Sequence, residues 1–323
     1  MNLRACALAA MSLWYGHGFA ASAEVQYPTR PIRLIVPVPP GGGADFVART
    51  YASRLGEYLN QQIVVDNRGG AAGIIAMEAT AKAAPDGYTL IQTNISTISI
   101  NPYIYERLPY DANRDFAPIA ITTLNPLVLV VHPSLPVRTV KELITYGRSN
   151  PGKLTYASLG SGSVQHLAGH VFAQAAGLSA VHVPYKGAAP ATVDLLAGQV
   201  TLAFSGVGTV VGHVRAGRLR ALAFTTQRTE GFGELPTLTE AGGPAVPLHL
   251  WNGILAPAQT PIPLVRRLNA LFGKASRSPE LTTALATQST TPATNTPEEF
   301  AQLIREEQAR FRQIVKESGV RAD

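Results

Sequence analysis

Short apolar runs alternate with stretches of helical periodicity along most of the chain, and Pro or Gly clusters separate them. Ile32 to Val36 is an apolar run between Arg30-Pro31 and Pro37, followed by Pro39, Pro40 and three glycines. It reads as a buried strand that ends in a tight loop. From Phe46 the apolar positions Val47, Tyr51, Leu55 and Leu59 recur every four residues, with Arg49, Arg54 and Glu57 on other faces. That spacing predicts an amphipathic helix, with Asp45 placed to cap its start. The rhythm repeats with a strand at Ile63 to Val65, a turn at Asn67-Arg68-Gly69-Gly70, a helix over Ile74 to Ala83 and a strand over Tyr88 to Gln92. Strands alternating with helices predict a mostly parallel sheet.

Leu127 to Val131, between Pro126 and Pro133, restarts the pattern and marks the crossing into a second lobe. There the spacing predicts helices at Val140 to Tyr146, Val164 to Ala176 and Thr192 to Leu196. Strands are predicted at Thr155 to Ala157, Val181 to Val183 and Val200 to Phe204. Leu219 to Thr225 is strand-like and is the expected crossing back. Helical patterns at Pro263 to Lys274, Leu281 to Ala286 and Pro297 to Val315 then complete the first lobe. No low-complexity tether joins the halves, so two extended crossings are expected to act as a hinge. The expected organisation is 24–126 and 227–323 for one lobe and 127–226 for the other.

The N-terminus changes what counts as the mature chain. Arg4, the apolar stretch Ala5 to Tyr15 and the small-residue end Ala21-Ser22-Ala23 have the form of a secretory signal peptide over residues 1–23. Gly16, His17 and Gly18 break the apolar run short of a membrane span. Cys6, the single cysteine, lies in this segment and ahead of its apolar core. A lipid anchor on it is not expected, and a mature chain starting at Glu24 has no thiol for a disulfide, a metal or nucleophilic catalysis. The 300 residues that remain favour two lobes over one core. The full chain carries +6 with 15% charged residues and no Lys/Arg run, which excludes a nucleic-acid stripe and suits an anionic ligand.

Candidate chemistry sits in two strand, Gly-rich loop, helix units, one per lobe. The first is Pro40-Gly41-Gly42-Gly43-Ala44-Asp45 and the second Gly160-Ser161-Gly162-Ser163. A glycine turn before a helix leaves N–H groups pointing outward where about half a positive charge collects, which makes an anion site. Gly42 and Gly43 put no Cβ in the way, and the Ser161 and Ser163 hydroxyls could add donors. Each charge-assisted hydrogen bond contributes roughly 1.5 to 3 kcal/mol, so two such loops could hold a carboxylate without Arg or Lys. The plainer reading is that both loops simply turn tightly. Tyr185-Lys186-Gly187 follows a strand end, on the edge where open α/β sheets bind ligands, and so does Asn94. Lys186 could neutralise a carboxylate or stay solvated.

Other chemistries fail on spacing. The Gly-rich loops match neither G-x-G-x-x-G nor a P-loop, which argues against nucleotides. Gly160-Ser161-Gly162-Ser163 is not G-x-S-x-G, and no acid stands near His166 in sequence to orient it, although an exported serine hydrolase using Ser161 or Ser163 remains the alternative. His166 and His170 are four apart on a helix, but Leu167 replaces the glutamate of H-E-x-x-H, so no metal and no cofactor are expected. A structural or adhesive exported protein is a third reading.

Several runs resemble the tripartite tricarboxylate transporter receptor, or Bug, family. They are Tyr27-Pro28-Thr29-Arg30-Pro31-Ile32-Arg33-Leu34-Ile35-Val36-Pro37 with Pro40-Gly41-Gly42 and Asp45, Pro85-Asp86-Gly87-Tyr88-Thr89-Leu90, and Leu108-Pro109-Tyr110-Asp111. Further on come Gly152-Lys153-Leu154, Gly162-Ser163, His166-Leu167-Ala168-Gly169, His182-Val183-Pro184-Tyr185-Lys186-Gly187 and Leu219-Arg220-Ala221-Leu222-Ala223. The resemblance covers Tyr27 to Asp323. It implies a two-lobed periplasmic-binding-protein fold of the Venus-flytrap, type II-like kind, with mixed sheets flanked by helices. It also implies that the loops at Pro40 to Asp45 and Gly160 to Ser163 hold a ligand's carboxylates, with delivery from the periplasm to a membrane permease. A monomer without enzymatic activity is expected. At Asn67-Arg68-Gly69-Gly70-Ala71-Ala72-Gly73 the chain departs from similar proteins, which commonly have a proline after the Arg and more glycines later.

Overall fold

The computed structural model describes residues 27–229 and 231–322, so the expected signal segment with Arg4, Cys6 and Ala21 to Ala23 lies outside the described residues. The chain runs β1 (Ile32–Val36), α1 (Gly43–Leu59), β2 (Ile63–Asn67), α2 (Ile74–Ala81), β3 (Thr89–Asn94), α3 (Asn101–Ile104) and β4 (Phe116–Val131). It continues with α4 (Val140–Ser149), β5 (Leu154–Ser158), α5 (Val164–Ala176), β6 (Ala180–Pro184), α6 (Ala188–Leu196), β7 (Leu202–Gly206), α7 (Val207–Arg215) and β8 (Arg220–Phe224). Last come β9 (His249–Pro257), α8 (Ile262–Ser276), α9 (Pro279–Ala286) and α10 (Pro297–Ser318). A single 3-10 turn precedes α2 at Ala71–Gly73, and a π-helical turn leads into α3 at Ser96–Ile100.

The strands form two lobes that share β4. In the first lobe the order is β2-β1-β3-β9-β4, and in the second it is β4-β7-β5-β6, with β8 also on β4. Both are mixed. Pairs β1–β2, β1–β3, β5–β6 and β5–β7 are parallel, whereas every pair made by β9 or β4 is antiparallel. The mostly parallel sheet expected from the strand-helix alternation is therefore corrected. β9 and the first part of β4 carry no regular alternation that distinguishes them from loop, so the antiparallel centre has no signature in the sequence. The crossing back also moves. Leu219 to Thr225 is not the crossing, because β8 pairs with Val128–Val131 inside the second lobe; the chain returns afterwards, through 225–248, to β9.

Between Pro126 and Leu127 the partner of β4 changes from β9 to β7. Bulges at Pro118/Ala120 and Ile121/Thr123 bend the strand before that point. Three buried clusters follow from this layout. One lies between α1, α8 and the first sheet, around Leu34, Val47, Tyr51, Ile254 and Phe272. Another lies under α6 and α7 around Val128, Leu195, Val207 and Phe224. The largest runs through both lobes, from Ile91 and Phe300 to Leu129, Phe172 and Phe204.

Helices α2, α4, α5 and α10 start where their sequences say they should, whereas α6 starts at Ala188, four residues ahead of Thr192, and α3 and α7 are not among the expected helices. Thr139, Ser163, Ser278 and Thr296 each accept a hydrogen bond from a first-turn N–H, and Thr296 with Glu299 makes a reciprocal capping box. Asp45 does not act as the expected cap. The helix begins at Gly43 with Gly42 as its cap, so Asp45 sits inside the first turn rather than ahead of it.

Candidate functional site

A cavity of about 630 Å³ lies between the lobes. The starts of four helices line it: Gly43 and Ala44 of α1, Val164 and Gln165 of α5, Ala188 and Thr192 of α6, and Val207 to Thr209 of α7. The first N–H groups of a helix have no intrahelical partner. Around them stand Asn94, Ser96, Asn125, Ser161, Ser205 and Asn252, with Ile104, Phe204 and Trp251 as apolar wall. None of the residues lining it is Asp, Glu, Lys, Arg or His.

The first loop is held from behind. Asp45 is buried, and its Oδ2 accepts from the Gly41 N–H at 2.9 Å and from Arg49 Nε at 3.0 Å, while Oδ1 accepts from Asn67 Nδ2 at 2.8 Å. Asn67 Nδ2 also donates to the Val38 carbonyl at 3.1 Å. Burial opposes ionisation of Asp45, but the hydrogen bonds from Arg49, Gly41 and Asn67 outweigh it and hold its carboxyl below the usual carboxylate range. Asp45 therefore clamps the loop that presents Gly43 and Ala44, and it is not a cleft residue. Asp45→Ala should cost about 1 to 3 kcal/mol, since the donors of Gly41, Arg49 and Asn67 all lose a charged acceptor. For the wild type the contribution is full above the ordinary value of 3.8 and is lost as pH falls through the lower folded value. Urea unfolding of both proteins at neutral and acid pH measures it: the gap between them should narrow in acid.

The second loop is tied up internally. Ser163 Oγ donates to the Gly160 carbonyl at 2.8 Å and accepts from the His166 N–H at 3.3 Å, so its hydroxyl is spent on capping α5. The Gly162 N–H goes to His166 Nδ1 at 3.2 Å, and the Gly160 N–H to Ser158 Oγ at 3.2 Å. In this arrangement the Ser163 hydroxyl hydrogen and the Gly160 and Gly162 N–H groups, expected as ligand donors, are engaged within the loop and its surroundings. Ser161 is exposed to the cleft, and the open helix-start donors are those of Val164 and Gln165. Behind the loop the His166 and His182 rings stack with centroids 3.7 Å apart, and His182 Nε2 lies 2.6 Å from Ser158 Oγ. Burial, with His182 beside it, pushes His166 down to about 4. Its Nδ1 accepts from a backbone N–H, and no carboxylate orients it, so the His166 and Ser163 pair is not set up as base and nucleophile.

Of the residues expected at the site, the cavity collects Gly43, Ala44, Asn94, Ser161, Gly162 and Ser163. Pro40, Gly41, Gly42, Asp45, Gly160, Tyr185, Lys186 and Gly187 are not among its lining. Tyr185 turns away to donate to Asp194 Oδ2 at 2.7 Å, and Gly187, at φ 113°, caps α6 so that Ala188 reaches the cleft. Asn94 lines the cavity and uses Oδ1 to accept from the Ser96 and Thr97 N–H groups at 3.0 and 3.2 Å. The start of α7 is a contributor that the sequence reading does not include. Its signal is present, since Ser205-Gly206-Val207-Gly208-Thr209 repeats the strand, glycine, helix order directly after the strand expected at Val200 to Phe204.

Two lobes on either side of a neutral cavity ringed by helix starts define a binding protein of the periplasmic two-lobed class. The chain belongs to the tripartite tricarboxylate transporter family receptors, whose model matches residues 47–320. It is 36% identical to protein BugT of Bordetella pertussis over 307 residues, 94% of each chain. Among solved structures it is similar to Rpa4515 of R. palustris, solved with adipate, at 35% identity and TM-score 0.83 over 91% of this chain and 99% of that one. It is also similar to MatC of Rhodopseudomonas palustris, solved with malate, at 30% identity and TM-score 0.77 over 90% of this chain and 100% of that one. No helix among the described residues is long and apolar enough to cross a membrane.

Proposed function

We infer that this receptor captures a small dicarboxylate that carries no amine, holding it by helix starts and neutral donors rather than by ion pairs. The observation that carries this reading is the absence of any formally charged side chain in the cavity lining. An anion there gains from four helix starts, each worth about half a positive charge. An ammonium group meets the same positive ends and finds no carboxylate. The apolar wall of Ile104, Phe204 and Trp251 suits the methylene part of such an acid, and adipate and malate in the two similar structures support the class.

The change of partner along β4 at Pro126/Leu127 supports a boundary there, with 127–226 moving against the rest on closure. In this reading the protein is exported by cleavage after Ala23, works in the periplasm as a non-enzymatic monomer and hands its ligand unchanged to membrane permease subunits. Thermal shift with adipate, malate, aspartate and putrescine tests the ligand class. Adipate or malate at a hundred times its Kd should stabilise by about 2.7 kcal/mol, and putrescine should not stabilise at all. Stabilisation by the diamine and by neither diacid would sink the reading.

A further inference from the structure

Under the cleft, away from both loops, a carboxyl group is sealed in the first lobe. Glu307 on α10 is 0% exposed. Its Oε2 accepts from the Trp251 indole N–H at 3.2 Å, and its Oε1 lies 3.3 Å from His249 Nε2 and 3.9 Å from Arg310 Nη1. Arg310 is committed elsewhere, donating to the Pro247 carbonyl at 2.8 Å. Neither Glu307 Oε1 nor His249 Nε2 makes a hydrogen bond among the described residues, not even to each other; they face one another at 3.3 Å, a separation that one proton brought into line would bridge. Trp251 lines the ligand cavity and packs edge-on against Phe300. His249 and Trp251 pair with Pro126 and Leu124, at the place where β4 passes from one lobe to the other.

We propose that Glu307 is a positioning residue that shares one proton with His249, fixes Trp251 as the floor of the cleft and makes carboxylate capture proton-linked. An anion entering above Trp251 favours the neutral form of a carboxyl buried beneath it, because like charges in a poorly hydrated site repel strongly. Capture therefore takes up a proton, and affinity falls as pH rises through the range where the free protein loses it. Burial pushes Glu307 up to about 7 and His249 down to about 4, which places that range near neutrality. Among the described residues, the charged groups acting on this carboxyl are Glu306 and Arg310 on its own helix and His249 on β9. On the other elements packed on α10, His170 of α5 faces Glu317, Tyr103 of α3 faces Arg312 and Arg266 of α8 faces Glu298. β4 and the 96–100 turn carry no charged residue.

The chain has two tryptophans, Trp14 and Trp251, and cleavage after Ala23 removes the first, so the mature protein leaves one indole to follow. There the Trp251 indole N–H resonance of the free protein should titrate with a midpoint near 7, and Glu307→Gln, which keeps an acceptor for the indole, should abolish the titration. The proton linkage rests on the carboxylate reading above, and adipate is its probe. Calorimetry at about pH 6.5 and 8.5, above the range of ordinary carboxyls, should show adipate binding at least about fivefold weaker at the higher pH in wild type and unchanged in Glu307→Gln. An indole that does not titrate overturns the shared proton, and a pH-independent wild-type affinity overturns the linkage. Failure of adipate to bind at any pH would count against the ligand class, while the indole titration still decides the proton sharing. Should the Gln variant not fold, the wild-type titration alone decides.

Discussion

Gly162→Val should abolish ligand capture and lower stability together, and Ile104→Ala in the same chain should restore part of both. A Cβ at Gly162 would stand 2.4 Å from Ile104 Cδ1, across the mouth of the cleft on the other lobe, and the backbone there has φ 76°. The left-handed conformation costs a branched residue about 1 to 2 kcal/mol, and overpacking adds about 1 to 3. Removing the Ile104 side chain relieves the second cost and leaves the first. Denaturant unfolding and calorimetry with adipate on the single and double variants read both effects. A Gly162→Val protein that binds normally would show that the lobes do not need to meet at this point.

The organisation of the chain is legible in its sequence because the apolar runs are short and bounded. β1 and α5 fall where the spacing places them, since Pro and Gly fence each of them. β9 is not legible: His249 to Pro257 is buried on both faces over most of its length and so lacks a period. The π-turn and α3 escape because Ser96 to Ile104 is mixed in character and Asn94, a candidate ligand donor, initiates it. At the site, the glycine loops lead to two of the four helix starts that line the cavity. Sequence shows that glycines precede a helix, whereas only folding reveals that His166 takes the Gly162 N–H and that Ser163 caps its own helix. Lys186 and Arg49 are cations close to these motifs in sequence, yet the cavity is built without charge.

Gly43→Val should weaken capture by at least about a hundredfold while leaving the fold intact, which separates it from Gly162→Val. A Cβ at Gly43 meets no atom within 4 Å, so the branches have only the cleft to occupy. There they displace the acid from the start of α1, where two charge-assisted hydrogen bonds of about 1.5 to 3 kcal/mol each are at stake. Stability should change by no more than about 0.5 kcal/mol, as for an exposed helix position. Lys186→Ala is the control, and its affinity for adipate should match wild type. Calorimetry on the three proteins decides. Normal binding by Gly43→Val with loss in Lys186→Ala would move the site to the β6 edge.

The position of β9 also bears on how the molecule is made. This strand lies between β3 and β4 in the first sheet, yet about 120 residues, with the rest of the second lobe among them, separate it from the end of β4 along the chain. A growing chain can therefore complete β4 through β8 as a unit while the first lobe still has a gap at its centre. Phe300 and Glu307, which cover that strand, arrive later still. Vectorial synthesis thus leaves the first sheet without its central strand until β9 and the helix that covers it have been made.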